Sequence, residues 1–336
     1  MRLISIDEYN QKLMQLARPV FDRHRRVLLA AGRTIHPIYL DKLKAMDVRY
    51  LFVEDADSFG ISMEEMVDVP TWIDSIKIIQ DALQETISKG ELPIRELQKL
   101  VANLVNEVGK RKALFLVPSS SLAEELHFYA HSVNVTLLSL QLAKKMNIPQ
   151  MQLKDLALGA LLHDIGKLLT DVEEDHPRVG FEFLRKIREL NLLSAHVSFQ
   201  HHEAVDGSGK PRGLEGEQIH LFAQICAIAD TYENAISKED LPPHEAMEYI
   251  MTKSGTIFST ELVNNFVQGV PLYIPGTSVV LNNNRKAIVT KIIENLQRPY
   301  VRYLDTGEEI SLANHYTLLV TKVLARREDL QTEANE

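Results

Sequence analysis

The 336-residue chain has a single cysteine, Cys226. No internal disulfide can form and no thiolate zinc site can be assembled from the chain alone, which fits a reducing, cytoplasmic setting. Long apolar runs are also missing. The longest, Leu156 to Leu162, falls far short of the ~20 residues that span a bilayer. The N-terminus, Met1-Arg2-Leu3-Ile4-Ser5-Ile6-Asp7-Glu8, has no apolar stretch of the kind that directs export. The expectation is a cytoplasmic protein without membrane insertion. Positive charge is in deficit, with 37 Lys and Arg against 46 Asp and Glu and a formal net charge of −9. Such a surface repels a polyanion, which argues against a nucleic-acid polymer as partner. A small phosphorylated ligand held through a metal stays open. Apolar residues at 45% and charged residues at 25% are those of an ordinary globular protein, and the length suits two or three domains. No repeat of period 20 to 50 is visible.

The hydrophobic pattern divides the chain into segments and predicts a mainly α protein. Residues 1–60 form a small α+β module. Arg26 to Ala31 and Tyr50 to Val53 read as strands, and Pro37 to Met46 carries Ile38, Leu40, Leu43 and Met46 at helical spacing. Its basic fragment, Asp22 to Arg26, reads as a solvated turn. Residues 61–121 form a helical connector, with Ile73, Ile76, Ile79, Leu83 and Ile87 on one helix and Leu97, Leu100, Val101, Leu104 and Val108 on the next, broken near Gly90 and Pro93. Lys110-Arg111-Lys112 closes the second helix, where cations suit the dipole. Residues 122–270 are almost continuously helical, with helices expected around Val133–Leu142, Leu153–Leu162, Phe181–Leu190 and Ile219–Ile236. Residues 271–325 switch to short β-prone runs at Ser278–Leu281, Ala287–Val289, Tyr300–Leu304 and Leu318–Val320, a small barrel or meander. Residues 326–336 are a charged tail.

Histidine is concentrated. Of 12 in the chain, seven (His127, His131, His163, His176, His196, His201 and His202) lie between 127 and 202, where an even spread would place about three. His127 and His131 share a helix face, His163 is followed by Asp164 at a helix end, and His201-His202 is followed by Glu203. Asp230 interrupts the apolar stretch that begins Ile225-Cys226-Ala227-Ile228-Ala229, where a lone carboxylate is costly unless paired or coordinated. Imidazoles and carboxylates projecting inward from several helices are how a bundle builds a dinuclear metal site. Glu203 reads as an acceptor that orients a histidine rather than as a ligand. His196 reads as an ordinary helix histidine, and His24, His36, His220, His244 and His315 take no role.

His163-Asp164-Ile165-Gly166-Lys167 resembles an HDxGK motif, and His201-His202-Glu203-Ala204-Val205-Asp206-Gly207-Ser208-Gly209-Lys210-Pro211 resembles HHExxDGxGYP. Together they are similar to the HD-GYP branch of the HD superfamily, metal-dependent bacterial phosphodiesterases of cyclic di-GMP, over roughly residues 122–269. The resemblance implies a helical-bundle catalytic core and a metal centre ligated by His131, His163, Asp164, His176, His201, His202 and Asp230. Asp164 would bridge two divalent ions, iron or manganese, and His127 is a candidate ligand for a third. Asp164 and Lys167 would carry the chemistry, with Lys167, Gly209 and Lys210 touching substrate. Hydroxide held between the metals would open cyclic di-GMP to linear pGpG, with a further step to GMP left open. The outer modules resemble accessory segments, and the implied partners are a second copy of the chain and a diguanylate cyclase (GGDEF) protein.

The chain departs from the family pattern at four places. Lys210 stands for the tyrosine of GYP. The stretch Leu168 to Asp175 is short and acidic. Ser237-Lys238-Glu239-Asp240-Leu241-Pro242 replaces an arginine-bearing segment after Asp230, and His127 stands where some members have glutamate. These departures leave two alternatives: a phosphohydrolase of another nucleotide, and a catalytically weak receptor or adaptor for a cyclic dinucleotide.

Overall fold

A computed structural model describes residues 1–324 apart from residues 23, 25 and 64–66. Two arginines of the basic turn and the charged tail lie outside the described residues. The chain is mainly α and divides into two units that are not contiguous in sequence. One gathers the N-terminal segment, residues 120–127 and the segment from 271 onward; the other holds residues 67–119 and 128–270. The connector helices thus belong with the histidine-rich helices, and the two terminal segments belong together.

In the first unit, β1 (Arg2–Ser5), β2 (Gln15–Leu16), β3 (Val20–Phe21), β4 (Val27–Leu29), α1 (Pro37–Ala45) and β5 (Tyr50–Glu54) follow in order. The strands make an antiparallel sheet β1-β5-β2 and a separate ribbon β3-β4. Pro37 opens α1, where its missing N–H costs nothing, and the His36 ring accepts from Ile38 N at 3.3 Å. Ile4, Leu16, Leu43, Leu51 and Val53 form the small core. At its edge the Arg2 guanidinium meets the buried Asp55 carboxylate at 2.7 Å, and Asp55 also accepts from Ser58 N and Oγ.

The second unit holds α2 (Val69–Lys89), α3 (Ile94–Lys110), most of α4 (His127–Lys145), α5 (Gln150–Leu161), α6 (His176–Leu184), α7 (Leu192–Gln200), α8 (Leu221–Ser237), α9 (Pro243–Thr252) and α10 (Thr260–Gly269). Asp68 caps α2 by accepting from Thr71 N, and Gly90 ends it at φ 74°, a conformation that glycine adopts without steric cost. Helices α4 and α8 are buried along most of their length, so each must satisfy its polar side chains inside the bundle. The helix expected through Leu190 ends at Leu184, where 3₁₀-type turns close it. Among the described residues, no helix is long and apolar enough to cross a membrane.

The remaining strands of the first unit are β6 (Ser278–Leu281), β7 (Lys286–Lys291), β8 (Tyr300–Tyr303), β9 (Glu309–Ser311) and β10 (Val320–Val323), an antiparallel sheet of order β10-β6-β7-β8-β9. Val279, Leu281, Ala287, Val289, Val301 and Tyr303 point to its core with period two. The last strand starts at Val320, two residues later than the apolar run at Leu318 suggests. The three-residue β9 has no apolar run to announce it.

Candidate metal centre

Five elements aim side chains at one point. Helix α4 supplies His131, the turn after α5 supplies His163 and Asp164, the first residue of α6 is His176, the end of α7 supplies His201 and His202, and α8 supplies Asp230. A 3₁₀ turn, Ile165–Leu168, follows Asp164 and lies against the start of α6. The approach needs glycine, since a Cβ on Gly166 would collide with the His176 carbonyl. Closeness of these backbones is what brings His176 to Asp164.

Asp164 sits between two sets of imidazoles. Its Oδ2 is 3.4 Å from His163 Nε2 and 3.9 Å from His131 Nε2, while its Oδ1 is 3.4 Å from His176 Nε2 and 3.5 Å from His201 Nε2. Asp230 Oδ1 closes the first set, 3.1 Å from His131 Nε2 and 3.7 Å from His163 Nε2. His202 closes the second, with its Nε2 3.2 Å from that of His176. The arrangement is two potential cation sites sharing one carboxylate: His131, His163 and Asp164 on one side, and Asp164, His176, His201 and His202 on the other.

The outer face of each buried ring fixes its inner one. Nδ1 donates to Glu233 Oε2 in His131 (2.5 Å), to Ala160 O in His163 (2.8 Å), to Glu173 O in His176 and to Ser198 O in His201 (2.9 Å). A carbonyl or carboxylate oxygen can only accept, so each Nδ1 carries a proton, and in its neutral form each of these rings turns its Nε2 lone pair inward. The Nε2 atoms of His131 and His163 lie 3.3 Å apart, and those of His176 and His202 3.2 Å apart. Two lone pairs at such a distance repel, so a proton or a metal ion has to stand between them. His201 Nε2 and Asp164 Oδ1 are buried with no hydrogen-bond partner, a costly state that a coordinated ion relieves. Donor chemistry and orphaned atoms both fit divalent metal.

Protonation follows the same division. Burial pushes His131 and His163 down, but the carboxylates beside them outweigh it, those of Glu233 and Asp230 raising His131 to about 9 and those of Asp164 and Asp230 raising His163 to about 10. Burial prevails at His201; at His202, an exposed residue whose ring is partly desolvated, desolvation and the neighbouring His201 lower the ring to about 3. Burial raises the Asp164 and Asp230 carboxyls, yet the surrounding imidazoles hold both well below the usual carboxylate range. Both carboxylates are therefore charged at neutral pH.

The other sequence candidates are placed differently. Lys167 Nζ donates to Asp164 Oδ2 at 2.7 Å and lies 3.7 Å from Glu173 Oε1. Lys210 is exposed and pairs with Glu174 at 3.2 Å. Gly209 packs on the Glu203 and Ala204 backbone, where a Cβ would clash. His127 does not join the cluster: its Nε2 donates to Leu122 O at 2.8 Å and its Nδ1 lies 3.9 Å from Asp47. Glu203 orients no histidine. Its two oxygens accept from Arg212 N and Leu214 N, both at 2.9 Å, and so tie down the glycine-rich loop. His196 packs on the Phe181 ring, with ring centroids 4.9 Å apart.

The residue that sequence reasoning missed is Glu233. It is a second buried carboxylate on α8, one turn beyond Asp230, and that spacing inside an apolar helix was the available signal. Its Oε2 accepts from His131, and its Oε1 accepts from Asn134 Nδ2 at 3.1 Å and Ser237 Oγ at 2.7 Å.

Residues 128–235, which carry His131 through Asp230, match the HD domain family model. Among curated proteins, the chain is 28% identical over 250 residues to cyclic di-GMP phosphodiesterase PA4108 of Pseudomonas aeruginosa, covering 62% of this chain and 60% of that one. It is 30% identical over 165 residues to a cyclic di-GMP phosphodiesterase of Thermotoga maritima, covering 43% and 45% of the two chains. It is 35% identical over 120 residues to 3′3′-cGAMP-specific phosphodiesterase 1 of Vibrio cholerae, covering 31% and 28%. The chain thus spans less than two thirds of the length of each of these relatives.

Proposed function

We propose that the chain is a cytoplasmic, metal-dependent phosphodiesterase that hydrolyses cyclic di-GMP to linear pGpG and onward to GMP. The observation that carries this reading is the position of Asp164, whose two oxygens face separate imidazole sets while Oδ1 and His201 Nε2 lack any hydrogen-bond partner. His131, His163, Asp164 and Asp230 would hold one ion, and Asp164, His176, His201 and His202 the other. Nitrogen and oxygen donors without thiolate suit iron or manganese. When bound, such a pair activates water at neutral pH and polarises phosphoryl oxygens.

The chain's own residues complete the site. Hydrogen bonds at Nδ1 keep four imidazoles oriented with Nε2 toward the shared carboxylate, so the rings need not turn when ions enter. Lys167 holds its ammonium 2.7 Å from the shared carboxylate, a cation beside the place where a diester phosphate would gather charge. The loop with Gly209 and the exposed Lys210 forms the outer rim for substrate. The names of the relatives support a cyclic dinucleotide and differ on which one, so both cyclic di-GMP and 3′3′-cGAMP belong in the assay.

The test is hydrolysis by the full chain, with and without Asp164→Ala, followed by nucleotide chromatography. The wild type should convert cyclic di-GMP to pGpG, and the variant should fall to background with its helical circular dichroism intact. Full activity in Asp164→Ala, or no cleavage of either dinucleotide by metal-loaded wild type, would overturn the proposal.

A further inference from the structure

Behind His131 lies a polar network that the cluster of donors does not itself require. Glu233 is almost wholly buried, at 1% exposure, and every contact it makes is directed. One oxygen takes the His131 Nδ1 proton, and the other takes hydrogen bonds from Asn134 and Ser237. Asn134 is held in turn, with Nδ2 also donating to Val117 O at 2.9 Å and Oδ1 accepting from the indole of Trp72 at 2.9 Å. Ser237 Oγ accepts from Ser119 N at 3.0 Å. The network therefore runs from α2 through α4 and α8 to one imidazole.

No other imidazole of the cluster has an equivalent. His163, His176 and His201 rest on backbone carbonyls, and His202 is exposed at the rim. A carboxylate acceptor does two things that a carbonyl does not: it makes the imidazole a stronger electron donor through Nε2, and its negative charge lowers the energy of a cation nearby. Leaving an anion such as Glu233 buried is costly without partners, and its partners here are all arranged to keep Oε2 on His131.

Building on the reading of a two-ion centre, we propose that Glu233 is a positioning residue for one ion only, the ion on the His131, His163 and Asp230 side. It fixes the His131 tautomer and strengthens that position relative to the other. Asn134 and Ser237 hold Glu233 in register, and Trp72 ties the arrangement to α2.

The test is calorimetric titration of Mn²⁺ into the chelator-treated full chain, comparing wild type with Glu233→Gln, Glu233→Ala and Ser237→Ala. Wild type should bind two equivalents. Glu233→Ala should weaken one of them ~10–100-fold and leave the other unchanged. Glu233→Gln, which keeps the shape and a hydrogen-bonding oxygen but loses the charge, should show the same selective loss at smaller size, and Ser237→Ala a smaller one again. Should Glu233→Ala fail to fold, Glu233→Gln decides the matter. Equal weakening of both equivalents together with lower thermal stability of the metal-free chain would show a merely structural role and overturn the inference. Unchanged binding of both in the two Glu233 variants would overturn it while leaving the two-ion centre standing. Absence of Mn²⁺ binding by wild type would bring down both.

Discussion

At the residue scale, the centre depends on groups that are ordinary alone and demanding together. Lys167 is half-buried, which lowers its ammonium pKa, but Asp164 outweighs that and raises it, so the charge persists at neutral pH. Lys167→Met should keep bound metal and lower kcat for the cyclic dinucleotide by on the order of 10²–10³, measured by product formation at saturating substrate. A second prediction concerns Asp55. Burial raises its carboxyl, but Arg2 and Ser58 outweigh burial and hold it below its ordinary value. A depressed folded-state pKa stabilises the protein above the unfolded value of about 4 and loses that contribution as pH falls through the folded value. Thermal unfolding from pH 7 down to pH 3 should therefore show wild type losing more stability than Asp55→Asn, which starts lower. The converging donors were legible because histidine is chemically conspicuous and its spacing carried the motifs. Glu233 was not, because a glutamate in a helix is ordinary until its burial is known, and burial is a property of the packed chain.

At the scale of elements, helices with a clear 3.6-residue stripe were legible almost to their ends, as α1 and α2 show. Pro37, Asp68 and Gly90 supply start and stop signals that act locally. Where the stop is tertiary, the pattern runs past it: Ile187 and Leu190 extend the apolar periodicity although α6 ends at Leu184. Strand β9 shows the converse, since Glu309-Ile310-Ser311 becomes a strand through pairing with β8 rather than through its own composition. The contact between the turn at Gly166 and α6 also escapes a linear reading, because nothing near Gly166 in sequence announces what lies against it. Gly166→Ala should force the 3₁₀ turn away from His176, destabilise the chain by about 1–3 kcal/mol, and reduce metal retained by the His176 side. Denaturant unfolding and metal analysis of the same variant check both.

For the whole molecule, the units combine segments far apart in sequence. Residues 1–63 share a unit with the sheet at 278–323, and α2 and α3 share one with the HD segment. Local periodicity reports which residues are apolar along an element but not which element will cover them, so this pairing was invisible beforehand. Because the candidate ligands come from five elements of one unit, ions bound there should hold that unit together. A ligand that binds only the folded state stabilises it by mass action, by ~2.7 kcal/mol at a free concentration one hundred times its Kd. Thermal denaturation should therefore shift upward with added Mn²⁺ and downward with chelator, and Asp164→Ala should abolish the shift.

If Asp164 joins two metal positions into a centre that cleaves a cyclic dinucleotide, as proposed, metal content and turnover must appear in one sample. The most direct measurement is metal analysis of anaerobically purified full-length chain, followed by incubation of that same sample with cyclic di-GMP. The account predicts about two ions per chain and conversion to pGpG. A chain that retains no metal, or one that holds two ions and leaves cyclic di-GMP and 3′3′-cGAMP intact, would contradict it.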